Sequence, residues 1–340
     1  MKINIFQWRY SPFLILGSLL LPINYAEAAV TCTASINDAN LGDITPANAD
    51  NESIVATLKY ECRNTFVFPR NVSICLAVDG GSYNPSTILP RYMNGPSSPD
   101  LAFTMKLPGG IVWSSRNYSD GSEYKTVVNV PGLRTTSFNV PIQISLSSGY
   151  NNVNAPPGIY TNNFIGGSTA MSYDVDGLFG GNINCSNKPL EPNIFPFKAQ
   201  ANVIKDCKVT TASDINLGKQ SANESNIPGN GNIGVTCTKT TPYNIGLAPM
   251  TPSPNGNTNG EGLLNGTGSN TDKLPYQLRS TPGPSGTKWG NNGSTIGTLT
   301  NGVTGTGSGS EQLKNVYVTV PSADFKPDNY SDTVTIHVNY

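Results

Sequence analysis

Histidine is almost absent from this 340-residue chain: His337 is the only one. A single histidine on a terminal alternating run gives no basis for a His-centred triad or a His-rich metal site. Charge is scarce too, with 21 basic and 22 acidic side chains and a net charge of −1. That balance leaves no basic patch for nucleic acid and no acidic, solvating tail. There is no CxxC pair, so a zinc site is not expected, and no GxSxG or P-loop motif to support nucleophilic or phosphoryl-transfer chemistry. Asp174 and Asp176 in "DVDG" faintly resemble a calcium loop, but the rest of the ligand series is missing and a turn is the simpler reading. No catalytic residue, metal or cofactor is therefore expected. The open alternative is a hydrolase with paired carboxylates in a cleft, which sequence alone does not reveal.

Long apolar runs are missing beyond the first 28 residues. Those residues read as a secretory signal peptide, with Lys2 and Arg9 in front, an apolar core at 12–21, and the small-x-small site Ala26-Glu27-Ala28. The apolar core is too short to span a bilayer. The mature chain is expected to be exported, which suits its six cysteines: Cys32, Cys62, Cys75, Cys185, Cys207 and Cys237. Cys32 and Cys62 lie 30 positions apart, as do Cys207 and Cys237, which suggests two matching disulfides and leaves Cys75 to pair with Cys185.

What is abundant is Gly, Asn, Ser and Thr, punctuating short β-branched and aromatic runs, which argues for an all-β protein. Those runs repeat in order. "NLG" occurs at 40–42 and 216–218, and "SICLA" (73–77) matches "NIGLA" (244–248). "LAFTMKL" (101–107) before Trp113 matches "LPYQLRS" (274–280) before Trp289, and "PGIYTNN" (157–163) matches "PDNYSDT" (327–333). A repeat of about 175 residues means duplicated domains. The expected architecture is two tandem Ig-like β-sandwiches. Residues 29–185 form the first and 186–196, with three prolines, a stiff linker. Residues 197–340 form the second, with "FKAQANVI" from Phe197 as its first strand.

The cysteine spacing with an internal NLG, the L-x-Y-x-L run before "WG", and the terminal P-x-x-Y-x-D-x-V-x-I-x-V-x-Y resemble the spore coat protein U domain, most closely over 197–340. The first half is more degenerate: Trp113 lacks the following Gly and its last run is interrupted by "IGGSTA". The resemblance implies a pilin of an archaic (Csu-type) chaperone–usher pilus, a sandwich missing its last strand and completed by a partner's. The two-domain plan resembles the tip adhesin of such a pilus. With cleavage after Ala28 only Ala29, Val30 and Thr31 precede Cys32, about 10 Å of strand, so the expectation is an acceptor without a donor leader. The first domain is expected to close itself with residues 174–185. The C-terminal one is expected to be incomplete and awaiting a donor strand, with Val334, Ile336, Val338 and Tyr340 on its open edge. Implied partners are a periplasmic pilus chaperone, the adjacent pilin subunit, the outer-membrane usher, and a surface or glycan ligand, at the cell surface and in biofilm formation. A plain coat or shaft pilin is the alternative.

Surface binding is expected at the pole of the first domain far from the second. Three apolar loop tips are the candidates: Phe66, Val67 and Phe68 in "TFVF"; Ile111 and Val112 in "PGGIVW", placed in the D–E region; and Leu178 and Phe179 in "DGLFGG". Each has a structural alternative. Phe66 and Phe68 can extend a strand into the core, Trp113 matches Trp289 and so reads as structural, and Leu178 and Phe179 can belong to a closing strand. The rival pole carries "ILPRYMN" (88–94) and the insertion 147–157.

Overall fold

The computed structural model describes residues 30–177, 180–192, 194–256, 258–293 and 299–340; the signal-peptide reading lies outside them. The described residues form twenty strands and no α-helix. The first twelve are β1 (Val30–Ile36), β2 (Ala39–Ile44), β3 (Ser53–Asn64), β4 (Arg70–Val78), β5 (Arg91–Met93), β6 (Leu101–Lys106), β7 (Tyr124–Val130), β8 (Thr135–Leu146), β9 (Gly158–Phe164), β10 (Thr169–Val175), β11 (Glu191–Pro192) and β12 (Phe197–Val203). The other eight are β13 (Cys207–Ala212), β14 (Ser225–Cys237), β15 (Pro242–Pro249), β16 (Glu261–Asn265), β17 (Lys273–Arg279), β18 (Val303–Thr306), β19 (Glu311–Ser322) and β20 (Val334–Asn339).

Alternation dictates the sheets. Along β3, Ala56, Leu58, Tyr60 and Cys62 turn inward while the residues between them meet solvent; β8 does the same with Val140, Ile142 and Ile144. Sheet β1-β3-β8-β6-β5 packs against β11-β10-β4-β7, and β2-β12-β9 closes the side. Strand β4 is buried on both faces because the Cys185 segment covers its outer one: Cys75 bonds Cys185, and Cys185 N–H donates to Ser73 Oγ at 3.1 Å. The second sandwich sets β13-β14-β19-β17-β16 against β18-β15-β20 around a separate core.

The duplication read from the sequence is present in three dimensions. Cys32–Cys62 joins β1 to β3, and Cys207–Cys237 joins β13 to β14, each cystine directly across its ladder. Trp113 and Trp289 are buried, with Trp113 N–H on Met105 O and Trp289 N–H on Leu278 O, each 2.9 Å. Their indole N–H groups reach Leu76 O at 3.0 Å and Ile245 O at 2.7 Å. Even the isolated bridges match, Asn94 with Thr161 and Asn265 with Ser331.

Two expectations are corrected here. Residues 186–196 are not a stiff linker between the sandwiches but are fastened to the first one. Arg116 Nη1 donates to Ser186 O at 2.6 Å, β11 pairs with β10, and buried Phe195 stacks on Trp113 with centroids 5.9 Å apart. Strand β12 does not open the second sandwich but lies in the first, parallel to β2 and antiparallel to β9. Its Phe197, Ala199, Ala201 and Val203 enter the first core, so this strand, rather than 174–185, fills the closing position. An alternating run fits either sheet equally well; only pairing partners decide. The sandwiches meet over Ile204–Asp206, where Ile204 N–H donates to Ile44 O at 3.0 Å and Thr238 N–H to Asp206 O at 2.9 Å.

Candidate functional site: an unfilled groove and an apolar pole

In the first sandwich the slot between β2 and β9 is filled by β12, whose Phe197 stacks on Phe164 at 4.5 Å. The corresponding slot of the second sandwich is a groove of about 280 Å³. Ile215 and Leu217 form one wall, Val334 and Ile336 the other, and Leu247, Leu278, Val316 and Val318 the floor. The only strand hydrogen-bonded to β20 among the described residues is β15, which leaves the opposite edge bare. Val334, Ile336 and Val338 are half-buried and pack against the second core, whereas Tyr340 lies beyond the end of the strand and is 51% exposed. His337 points outward from the same strand.

The groove carries a polar fixture. Asp332 accepts Tyr276 O–H at 2.7 Å, Thr251 O–H at 2.9 Å and Thr251 N–H at 3.2 Å. Burial, and then the carboxylate partner, push the Tyr276 hydroxyl well above its usual value, so it remains a donor. Asp332 thus holds the start of β20 to the opposite sheet without filling the slot.

The second candidate is the pole of the first sandwich where β3, β7 and β10 end and β4 and β8 begin. It lies opposite the junction, because β2 and β12 end at the junction while β3 starts there. Asn64, fully buried, organises this pole: its Nδ2 donates to Phe68 O at 2.9 Å and Val130 O at 3.1 Å, and its Oδ1 accepts Phe66 N–H at 2.8 Å. Leu133 N–H donates to Phe66 O at 2.8 Å, joining the 131–134 turn to the 65–69 loop. Val67, Phe68 and Leu133 are 61%, 62% and 66% exposed, on a scaffold that cannot withdraw them. Phe66 is half-buried, 5.5 Å from Phe68, and capped by the Arg70 guanidinium 4.6 Å above its ring. Arg70 also donates to Asp176 O at 3.0 Å, bringing Asp176 to this pole.

Neither carboxylate of "DVDG" gathers a ligand set. Asp176 accepts Asn71 Nδ2, and Asp174 accepts Asn184 N–H and pairs with Lys188, which lowers its pKa. Leu178 and Phe179 lie outside the described residues. Gly177 and Gly180 on either side of them close a turn through Gly180 N–H to Gly177 O at 3.0 Å.

Ile111 and Val112 do not belong to this pole. They follow β6, whose last residue Lys106 pairs with Gln143, eight positions up β8 from Thr135, or about 26 Å. The D–E turn at the pole is instead 131–134, between β7 and β8. Its Leu133 escaped the sequence reading although "VPGLR" between two alternating runs is a turn signal. Leu133 has φ of +54°, a left-handed conformation leucine seldom adopts, and there the side chain is held outward. At the rival pole Ile88, Arg91 and Met93 prove buried. Arg91 donates to the carbonyls of Asp79, Ile88 and Trp113, and burial lowers its pKa to about 9. The 147–157 insertion abuts the second sandwich, with Val153 O beside Gly309.

Comparison with known proteins agrees with this architecture. Residues 193–337 match the family model of the Spore Coat Protein U domain. The chain is similar to a structure of the CsuC–CsuE chaperone–tip adhesion subunit pre-assembly complex from archaic chaperone–usher Csu pili of Acinetobacter baumannii. Identity is 15%, the TM-score 0.54, and coverage 91% of this chain and 100% of that one; this likeness supports the all-β, Ig-like fold. The CupB6 tip adhesin from Pseudomonas aeruginosa aligns more loosely, at 11% identity and a TM-score of 0.34 over 92% of this chain and 93% of that one. A search of curated proteins finds no match.

Proposed function

With residues 193–337 matching the family model of the Spore Coat Protein U domain, we propose that the chain is the tip adhesin of a chaperone–usher pilus. One observation carries this reading: duplicated sandwiches share a closing slot, filled by β12 in the first and open in the second. The first sandwich is the surface-binding unit, complete in itself. The second is the acceptor, its groove covered by a periplasmic chaperone and then by the donor strand of the adjacent pilin as the usher extends the fibre. An open apolar groove with a bare edge is an aggregation hazard unless a strand is supplied.

The binding surface in this proposal is the pole bearing Val67, Phe68 and Leu133, together with Leu178 and Phe179. Ile111 and Val112 are left out because β6 carries them to the flank. Apolar side chains on a rigid pole lose little entropy on contact. Burying about 300 Å² yields up to ~7 kcal/mol before ordering costs, and many pili multiply weak contacts into firm attachment and biofilm. An apolar abiotic surface suits these side chains better than a glycan.

The test replaces Phe68 and Leu133 by Ser in piliated cells. Both are exposed, so piliation and stability are expected to stay unchanged while attachment to hydrophobic plastic falls by at least tenfold. Normal attachment by piliated double-mutant cells would remove the pole from the proposal. Loss of the chain from the periplasm when the pilus chaperone is deleted is the parallel expectation for the second sandwich.

A further inference from the structure

The two slots share a wall segment. Asp38-Ala39-Asn40-Leu41-Gly42 borders the first and Asp214-Ile215-Asn216-Leu217-Gly218 the second. The two segments adopt one local conformation. Asn40 Oδ1 accepts Gly42 N–H at 3.0 Å, and Asn216 Oδ1 accepts Gly218 N–H at 2.8 Å. Gly42 and Gly218 have φ of +79° and +70°, a region glycine enters without cost. Ala39 and Leu41 are buried in the first core, while Ile215 and Leu217 line the empty groove.

The filled slot shows how its strand is held. Strand β12 runs parallel to β2, with Ala199 opposite Ala39 and Gln200 opposite Asn40. One residue ahead of that ladder, Lys198 N–H is taken by the Asp38 side chain, Oδ1 accepting at 2.7 Å. The carboxylate satisfies a main-chain donor at the leading end of the strand, and a charged acceptor makes that bond stronger than an ordinary ladder bond. In the second sandwich Asp214 stands at the Asp38 position and lines the groove. Its carboxylate has no hydrogen-bond partner among the described residues.

We propose that Asp214 is a binding residue of the groove. It accepts the main-chain N–H at the leading end of the entering strand, one residue before the side chain that lies opposite Ile215. This rests on the acceptor reading of the second sandwich and adds two requirements for the partner. The strand runs parallel to 214–218, as β12 runs along β2, and the residue that meets Asp214 is not proline, which has no N–H to give.

The test uses the full chain and an acetylated peptide copying 197–204, FKAQANVI, as the probe strand, with binding followed by peptide fluorescence anisotropy. The peptide is expected to bind the wild-type chain, and Asp214→Ala to weaken it about tenfold. Methylating the peptide nitrogen equivalent to that of Lys198 is expected to cause a similar loss on the wild-type chain and no further loss on Asp214→Ala. Asp214 is exposed, so the substitution spares the fold, and the methylated peptide reports on the unaltered protein in any case. Equal affinity for wild type and Asp214→Ala, or two losses that simply add, would overturn the assignment while leaving the groove as the acceptor. A wild-type chain that binds no peptide would overturn the acceptor reading itself.

Discussion

The first sandwich and the second are two outcomes of one strand plan. Cystine ladder, buried tryptophan, NLG wall and terminal run are held in common; what separates them is β12. In the first, Ala199 and Ala201 are buried between β2 and β9. In the second, Leu217 and Ile336 face each other across an unfilled groove. A missing strand therefore changes a sandwich from a self-sufficient unit into a socket while leaving the remaining sheets intact. The first sandwich also has a second cystine, the Arg116 clamp on the 185–188 segment and the Phe195–Trp113 stack, all holding down the chain that leads into β12.

The comparison breaks most sharply if the first slot is emptied. Ala199→Asp places an unpaired charge at a fully buried position of β12. We expect a loss of about 3–5 kcal/mol from the first sandwich alone. In thermal unfolding it should then show the protease sensitivity of an open unit, and an unchanged melting profile would mean that β12 does not close it. Similar in size, and graded by loop length, is the loss of cystines. Removing Cys75–Cys185, whose partners are 110 positions apart, is expected to cost about 5 kcal/mol; removing Cys207–Cys237, 30 positions apart, about 3.5–4 kcal/mol. Urea midpoints of the two paired Cys→Ser variants would check the order.

Acid sensitivity gives the smallest effect and touches both units. Asn184 N–H and then Lys188 lower the pKa of Asp174 in the first, and Thr267 and Asn270 lower that of Asp328 in the second. A folded-state value below the unfolded one stabilises above the ordinary carboxylate pKa and ceases to do so as pH falls through the folded value. Between pH 5 and pH 3 we expect each unit to lose about 1–3 °C in Tm through these groups. Asp174→Asn should flatten the profile of the first unit only, and Asp328→Asn that of the second.

Much of this was legible in residue order. Equal 30-residue cystine spacings, two NLG segments and two tryptophans after matching runs give duplicated sandwiches without coordinates. The alternation of Val334, Ile336 and Val338 marks a strand with one apolar face. The destination of "FKAQANVI" was not legible, although Cys207 stands at the front of β13 and hints that the second unit starts after it. Nor was the composition of the pole. Chain order offers "PGGIVW" as a neighbour of "TFVF", yet β6 pairs only with the far end of β8, Gln143 to Leu146, and leaves Ile111 on the flank, while the turn after β7 brings Leu133 against Phe66.

What the sequence determined by itself is the class of element and the face each side chain takes, because period-two alternation and fixed cystine separations are local properties of the chain. Which strand fills which slot was decided only in three dimensions. Strand pairing joins residues such as Ala199 and Ala39 that lie 160 positions apart, and every alternating run offers the same main-chain donors and acceptors. Only the closed geometry of the sheets selects among them.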